Sequence, residues 1–156
     1  MIKNQLKNLQ TNFIVLENKS LKILVTGAAG FIGFHITRCL LKNGHSVIGL
    51  DNLSDYYSKK LKEDRLEELG FDSKLILKEN ICIEAVNNHN LKFYNSDITN
   101  EAFISTIFSK YKLDVVIHLA AQAGVRYSLI NPETYIKTNI NGFFNIIQNT
   151  HNKNIK

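Results

Sequence analysis

The 156-residue sequence is short of several things, and each shortage removes a class of protein. It has two cysteines, Cys39 and Cys82, and neither stands in a Cys-x-x-Cys or another metal-ligand spacing. A disulfide scaffold or zinc site is therefore excluded, and both thiols are expected to be buried and reduced, as in a cytoplasmic protein. No apolar run approaches the roughly 18–20 residues of a membrane span. Residues 1–21 contain only the short run Phe13-Ile14-Val15-Leu16, too little for a signal-peptide core. The net charge is +5, but the lysines are scattered and no basic stripe is interleaved with aromatics, so nucleic acid is not an expected partner. His35 and His45 have no accompanying ligand set and read as surface and loop residues rather than metal ligands. What remains, 44% apolar and 21% charged residues, is the balance of one globular domain with a real core.

What is present is organised around Lys22-Ile23-Leu24-Val25-Thr26-Gly27-Ala28-Ala29-Gly30-Phe31-Ile32-Gly33. Ile23-Leu24-Val25 is a short apolar run that suits a parallel strand covered on both faces. Three glycines follow it at Gly-x-x-Gly-x-x-Gly spacing. Gly27 permits a sharp turn off the strand, Gly30 lets a pyrophosphate approach the backbone, and Gly33 lets the next helix pack on the strand. The helix start then offers unpaired N–H groups and a positive dipole end to phosphate. The second strand, Ser46-Val47-Ile48-Gly49-Leu50, ends at Asp51, 18 residues after Gly33. A carboxylate at that place can accept from both hydroxyls of an adenosine ribose and would repel a 2′-phosphate, which favours NAD over NADP.

The remaining chain continues the alternation. A helix is expected over about residues 31–43, burying Ile32, Ile36 and Leu40. Residues 54–70 read as a charged helix with a thin stripe of Leu61, Leu66 and Leu69 and an otherwise solvated face. Over 71–90 the pattern leaves short strands and a helical excursion both open, with Asn87-Asn88-His89-Asn90 reading as a turn. Leu91–Asn95 is the third strand, Asn100 caps a helix carrying Ile104, Ile107, Phe108 and Tyr111, and Asp114–Leu119 is the fourth and central strand. It ends in the small-residue turn Ala120-Ala121-Gln122-Ala123-Gly124, at the edge where open α/β sheets bind ligands. The only proline, Pro132, follows the N-cap Asn131 and opens a helix whose buried face is Ile136, Ile140, Phe143 or Phe144, and Ile147. The expected fold is α/β: a doubly wound parallel sheet of Rossmann type in strand order 3-2-1-4. Residues 1–21 form an extension, 22–150 a dinucleotide-binding domain, and 151–156 a tail.

Taken together, Thr26-Gly27-Ala28-Ala29-Gly30-Phe31-Ile32-Gly33 and His118-Leu119-Ala120-Ala121-Gln122-Ala123-Gly124 resemble the extended short-chain dehydrogenase/reductase family of NAD-dependent sugar-nucleotide epimerases and dehydratases. Asp51-Asn52-Leu53-Ser54-Asp55-Tyr56-Tyr57, and the run from Ala120 through Arg126-Tyr127-Ser128 to Asn131-Pro132, resemble its UDP-glucuronate 4-epimerases. The resemblance implies that Gly27, Ala29, Gly30, Phe31, Ile32 and Gly33 hold the pyrophosphate of NAD. It places Asp51 and Asn52 at the adenosine ribose, Asp97 and Ile98 beside the adenine, and Ala120, Ala121 and Gln122 at the nicotinamide ribose. Asn139 would lie near the cofactor, and Arg126 would face the carboxylate or phosphate of a UDP-sugar.

The family's base is the tyrosine of a Tyr-x-x-x-Lys pair that follows the helix ending near residue 150. The sequence up to Lys156 contains no such pair there, so no catalytic residue is assigned. Tyr56 and Lys60 have the spacing, but they follow the second strand, at the adenosine end, and read as chance on a lysine-rich helix. The chain thus resembles the N-terminal half of an epimerase, a truncated sheet expected to be inactive alone. It would depend on self-association or on a complementing C-terminal polypeptide. A non-catalytic dinucleotide-binding module, or a dehydratase or decarboxylase of the same family, is the alternative.

Overall fold

The structure is a computed structural model that describes residues 19–155. Most of the expected N-terminal extension lies outside the described residues. Its last residues are attached to the domain: Ser20 Oγ donates to the Gly44 carbonyl and the Leu21 carbonyl accepts from Ser46 N–H.

Among the described residues five strands form one sheet: β1 (Lys22–Thr26), β2 (Ser46–Asp51), β3 (Ile83–Ala85), β4 (Asn88–Asn95) and β5 (Val115–His118), in spatial order β3-β4-β2-β1-β5. The four strands β4-β2-β1-β5 are parallel, with Leu24 opposite Ile48 and Val116, and Asp51 opposite Asn95. These are the expected third, second, first and fourth strands in the expected order, but the fourth, expected to be central and buried on both faces, is half-buried and lies at the sheet edge among the described residues.

The sheet is not wholly parallel, however. β3 pairs antiparallel with β4 through a tight connection in which Ala85 faces Asn88. Asn88, His89 and Asn90 are therefore strand, and the turn lies at Val86-Asn87. Polar side chains are tolerated there because His89 and Asn90 stand next to the hairpin turn, in solvent.

Alternation along β1 sends Ile23 and Val25 to one face and Leu24 to the other. On the first face they meet Val47, Leu91, Phe93, and Leu66 of α2 (Lys59–Glu68), with Leu40 and Leu41 of α1 (Phe31–Lys42) packed alongside. On the second, Leu24, Ile48 and Tyr94 meet Ile104, Ile107 and Phe108 of α3 (Glu101–Lys110), and Ile146. Helices on both faces make the fold doubly wound.

Three helical expectations need correction. α1 buries Gly33, Phe34 and Thr37 while Ile32 is exposed, because the approach of Gly33 to the glycine turn fixes which side faces the sheet. α2 buries Lys62 and Leu66 and exposes Leu61. The helix after Pro132 is not one uniform rod. It consists of α5 (Pro132–Ile136), a π-helical stretch Lys137–Gly142, and α6 (Phe143–Asn152). The wider π turn rotates the following residues, so Gly142, Asn145 and Ile146 face the core. Ile136, Ile140, Phe143, Phe144 and Ile147, the expected buried face, are 45% to 56% exposed. Cys39 is also exposed, not buried.

Phe93 is fully buried, with its ring 5.6 Å from that of Phe71. Phe93→Ala is expected to cost about 3–5 kcal/mol in urea unfolding. Ile140→Ala, on the exposed face, is expected to cost less than about 0.5 kcal/mol. Equal losses at the two positions would contradict the placement of the core.

Candidate cofactor-binding site

The expected site residues gather at the carboxyl ends of β1, β2, β4 and β5. Gly27 has φ +71°, and a Cβ there would lie 2.8 Å from the Ala120 nitrogen, so the first turn abuts the turn after β5. At Gly33 a Cβ would lie 2.1 Å from the Gly27 carbonyl oxygen. That oxygen already accepts from Gly30 N–H, so the turn has no room to give way. The first helical bond of α1 is donated by Phe34 N–H to Gly30. No side chain caps the helix and no acid stands in its first turn. The N–H groups at Phe31, Ile32 and Gly33 thus open an anion-binding helix start.

Asp51 is 5% exposed. Its Oδ2 accepts from Ala29 N–H at 3.2 Å, and its Oδ1 accepts from Leu53 N–H at 2.9 Å and from Lys62 Nζ at 3.1 Å. A carboxylate has about four acceptor positions. Three are occupied by the protein, so the expected pair of bonds to two ribose hydroxyls is reduced to about one. Asn52 Nδ2 donates to Asp97 Oδ2 at 2.8 Å. Burial alone raises the Asp97 pKa, but the bonds from Thr99 N–H and the Asn52 amide outweigh it and hold the carboxyl below the ordinary value. Next to this pair lies a polar recess of about 230 Å³ lined by Asn52, Glu79, Asn80, Asn95, Ser96, Asp97 and Asn100. Asn80 is fixed in it by N–H donation to the Asn95 carbonyl and by accepting from Ser96 Oγ. Glu79 and Asn80 come from the 71–90 segment, whose sequence carries no ligand-binding pattern. Ile98 turns its side chain into the core against Gly142, leaving its main chain at the site.

On the other side, Ala120, Ala121 and Gln122 follow β5. Asn139, in the π-helical stretch, grips the Gln122 main chain twice: its Oδ1 accepts from Gln122 N–H at 2.8 Å and its Nδ2 donates to the Gln122 carbonyl at 2.9 Å. Asn139 thus shapes the turn. Arg126 is exposed on the short helix α4 (Val125–Ser128).

Thr26 and His118 belong to the two sequence motifs, but the sequence assigns no role to either side chain. The Thr26 hydroxyl, fully buried, accepts from Leu119 N–H and Ala120 N–H and lies 2.6 Å from His118 Nδ1. With both lone pairs occupied, its hydrogen points to Nδ1, which leaves the ring neutral and protonated on Nε2. Burial likewise lowers the His118 pKa from its ordinary 6.5.

Tyr56 is also not where the sequence puts it. Its ring is 5.0 Å from that of Tyr127, and its hydroxyl reaches Gly124, beyond β5. Tyr135 donates to the carbonyls of Ala123 and Gly124 beside it. Partial burial and the neighbouring Tyr135, Tyr57 and Tyr127 raise the Tyr56 pKa, the wrong direction for a base. Lys60 is paired with Asp64.

A Gly-rich turn before an uncapped helix, an acid at the end of the next strand and a small-residue turn after β5 define a dinucleotide-binding domain. The sequence matches the NAD dependent epimerase/dehydratase family model over residues 23–156, and the chain belongs to that family. NAD is the family's cofactor, and the glycine cradle fits it.

Protein CapI of Staphylococcus aureus is 46% identical over 136 residues, 87% of this chain and 36% of that protein. The UDP-glucuronate 4-epimerase of Thermodesulfobacterium geofontis is 46% identical over 125 residues, 80% of this chain and 34% of that protein. Among solved structures, UDP-glucose 4-epimerase of Thermotoga maritima with UDP-glucose aligns at TM-score 0.66 and 34% identity, covering 87% of this chain and 36% of that one. The UDP-glucose 4-epimerase of Thermus thermophilus with NAD aligns at TM-score 0.64 and 25% identity, covering 87% and 35%. The chain spans about a third of the length of these relatives.

Gly33→Ala is expected to abolish dinucleotide binding and to lower the melting temperature, because its methyl meets main chain. Calorimetric titration with NAD checks the first and thermal unfolding the second. His118 generates a pH dependence. Above the unfolded value of 6.5 both states are neutral and its contribution is full. As the pH falls below that value only the unfolded chain takes up the proton, so stability declines toward the depressed folded pKa. Urea unfolding from about pH 7.5 to about pH 5.5 should show this slope, and His118→Asn should flatten it.

Proposed function

We propose that this chain is the cofactor-binding part of a UDP-sugar 4-epimerase that interconverts UDP-glucuronate and UDP-galacturonate. The reading is carried by one observation: the glycine turn, the Asp51-Asn52-Asp97 group and the Ala120–Gln122 turn converge on one edge of the parallel strands. The relatives named UDP-glucuronate 4-epimerase support the choice of sugar.

Bound NAD supplies a hydride acceptor for transient oxidation at the sugar C4. In this reading Gly27, Ala29, Gly30 and the main chain of Phe31, Ile32 and Gly33 hold the pyrophosphate. Asp51 accepts from the adenosine ribose, with Asn52 beside it. Asp97 and the Ile98 main chain border the base, which the polar recess receives. Ala120, Ala121 and Gln122 present a low backbone surface to the second ribose, and Asn139 keeps it in place. Arg126 meets an anionic group of the substrate.

None of these residues is a general base at the sugar, which forfeits about 10²–10⁴-fold in rate. The 156 residues alone are therefore read as binding NAD without turnover. β5 pairs with β1 only, among the described residues, and Ile136, Ile140, Phe143, Phe144 and Ile147 are exposed to solvent, with the Phe143 ring 5.7 Å from that of His118 at the end of β5. Such an edge and face recruit further polypeptide, either a second copy or a complementing chain.

The test combines calorimetry, product analysis and solution mass. NAD should bind more tightly than NADP, and Asp51→Ser should narrow the difference. UDP-galacturonate should not form from UDP-glucuronate with added NAD, and the mass should exceed that of one chain. Turnover by a stable monomer would overturn the reading of an incomplete site. Failure to bind NAD would overturn the cofactor reading itself.

A further inference from the structure

By pattern, α2 is a solvated helix of alternating charge, yet its Lys62 is only 9% exposed. The ammonium is 3.1 Å from Asp51 Oδ1 and 3.2 Å from Ser54 Oγ. The carboxylate it meets is more deeply buried still, and its other bonds come from the Ala29 and Leu53 main chain. The carboxylate is therefore tied to the glycine turn by one oxygen and to α2 by the other. Arg65, one turn further along α2, donates from Nη1 to the Ala29 carbonyl at 3.2 Å and brings a second cation to the same turn. From the opposite side, Asp97 is held across Asn52. β4 places the neutral Asn95 opposite Asp51. Lys62 is the cation in direct contact with Asp51.

We propose that Lys62 is a cofactor-positioning and specificity residue: its ammonium fixes the orientation of the Asp51 carboxylate and supplies the charge that lets a buried acid serve the adenosine ribose. The proposal rests on the NAD reading of the cleft. A buried carboxylate stripped of its contacting cation is costly as an anion and tends to hold a proton instead. Protonation removes an acceptor from the few that Asp51 has left for a ligand. Lys62 is also the reason that replacing Asp51 matters for NADP: without the carboxylate, an ammonium is left beside the 2′-position, where a phosphate would take it as counter-ion.

Lys62→Met and Lys62→Arg are compared with the unmutated chain by calorimetric titration with NAD between about pH 5.5 and about pH 8.5. The unmutated chain and Lys62→Arg should bind with level affinity. Lys62→Met should bind about tenfold more weakly at the acid end and recover toward the alkaline end, as the stranded carboxyl ionises. A merely structural ion pair would lower the melting temperature and leave the pH profile flat.

A second arm avoids stranding a carboxylate. Asp51→Ser should gain about tenfold in NADP affinity, and the double variant Asp51→Ser/Lys62→Met should lose that gain. Lys62→Met binding NAD with unchanged, pH-independent affinity would overturn the proposal. So would a double variant that holds NADP as tightly as Asp51→Ser. Absence of NAD binding by the unmutated chain at every pH is a different result, which overturns the NAD reading and the proposal with it.

Discussion

The contact on which the rest depends is the one between Gly33 and the Gly27 carbonyl, too close for a methyl group to intervene. It draws the first turn of α1 onto the end of β1. The axis of α1, and hence the direction of its N–H groups and dipole, is set by that approach. The helix face that meets the sheet follows from the same constraint, which is why Phe34 and Thr37 go inward and Ile32 does not. Gly27 carries the constraint across to β5, because its left-handed turn leaves only enough space for the Leu119–Ala120 peptide.

Around that contact the protein uses its buried polar groups to hold loops. The Thr26 hydroxyl places both lone pairs on the main chain after β5 and its hydrogen on His118. Asn139 closes a two-bond clamp on Gln122. Asn145 donates to the Ile98 carbonyl, so the π-helical stretch and α6 are referenced to the loop after β4. Such supporting bonds keep loop-borne groups in register without being consumed by binding.

The parts of the fold that were legible in the sequence are those whose physics is local. A short apolar run, a glycine triplet and an acid at fixed spacing specify strand, turn and helix within thirty or so residues. Long-range placement is what escaped. Lys62 looks like any other charge on α2 because nothing in helical periodicity distinguishes a lysine aimed at a carboxylate eleven positions earlier. Asn88, His89 and Asn90 look like a turn because they extend past the pairing with β2, which begins at Leu91, and His89 and Asn90 stay in solvent. Ile136 to Ile147 follow the 3.6-residue period faithfully, but the π turn at 137–142 changes which of them faces inward. Asn80 entered the recess beside Asp97 through backbone pairing with β4, which leaves no mark on composition.

The two edges of the sheet are unlike. On one side β3 is three residues long, its register shifts at Glu84, and Glu84 pairs with Lys92 across the strands. Short, irregular and charged, that edge resists extension. The other edge among the described residues is β5, regular and apolar, paired with β1. Along the described strands the chain passes from β1 to β2, out to β3 at the edge, back to β4 between them, and then across to β5 on the far side of β1. Among the described strands the short, charged edge at β3 is therefore laid down before β5 is added on the opposite side of β1.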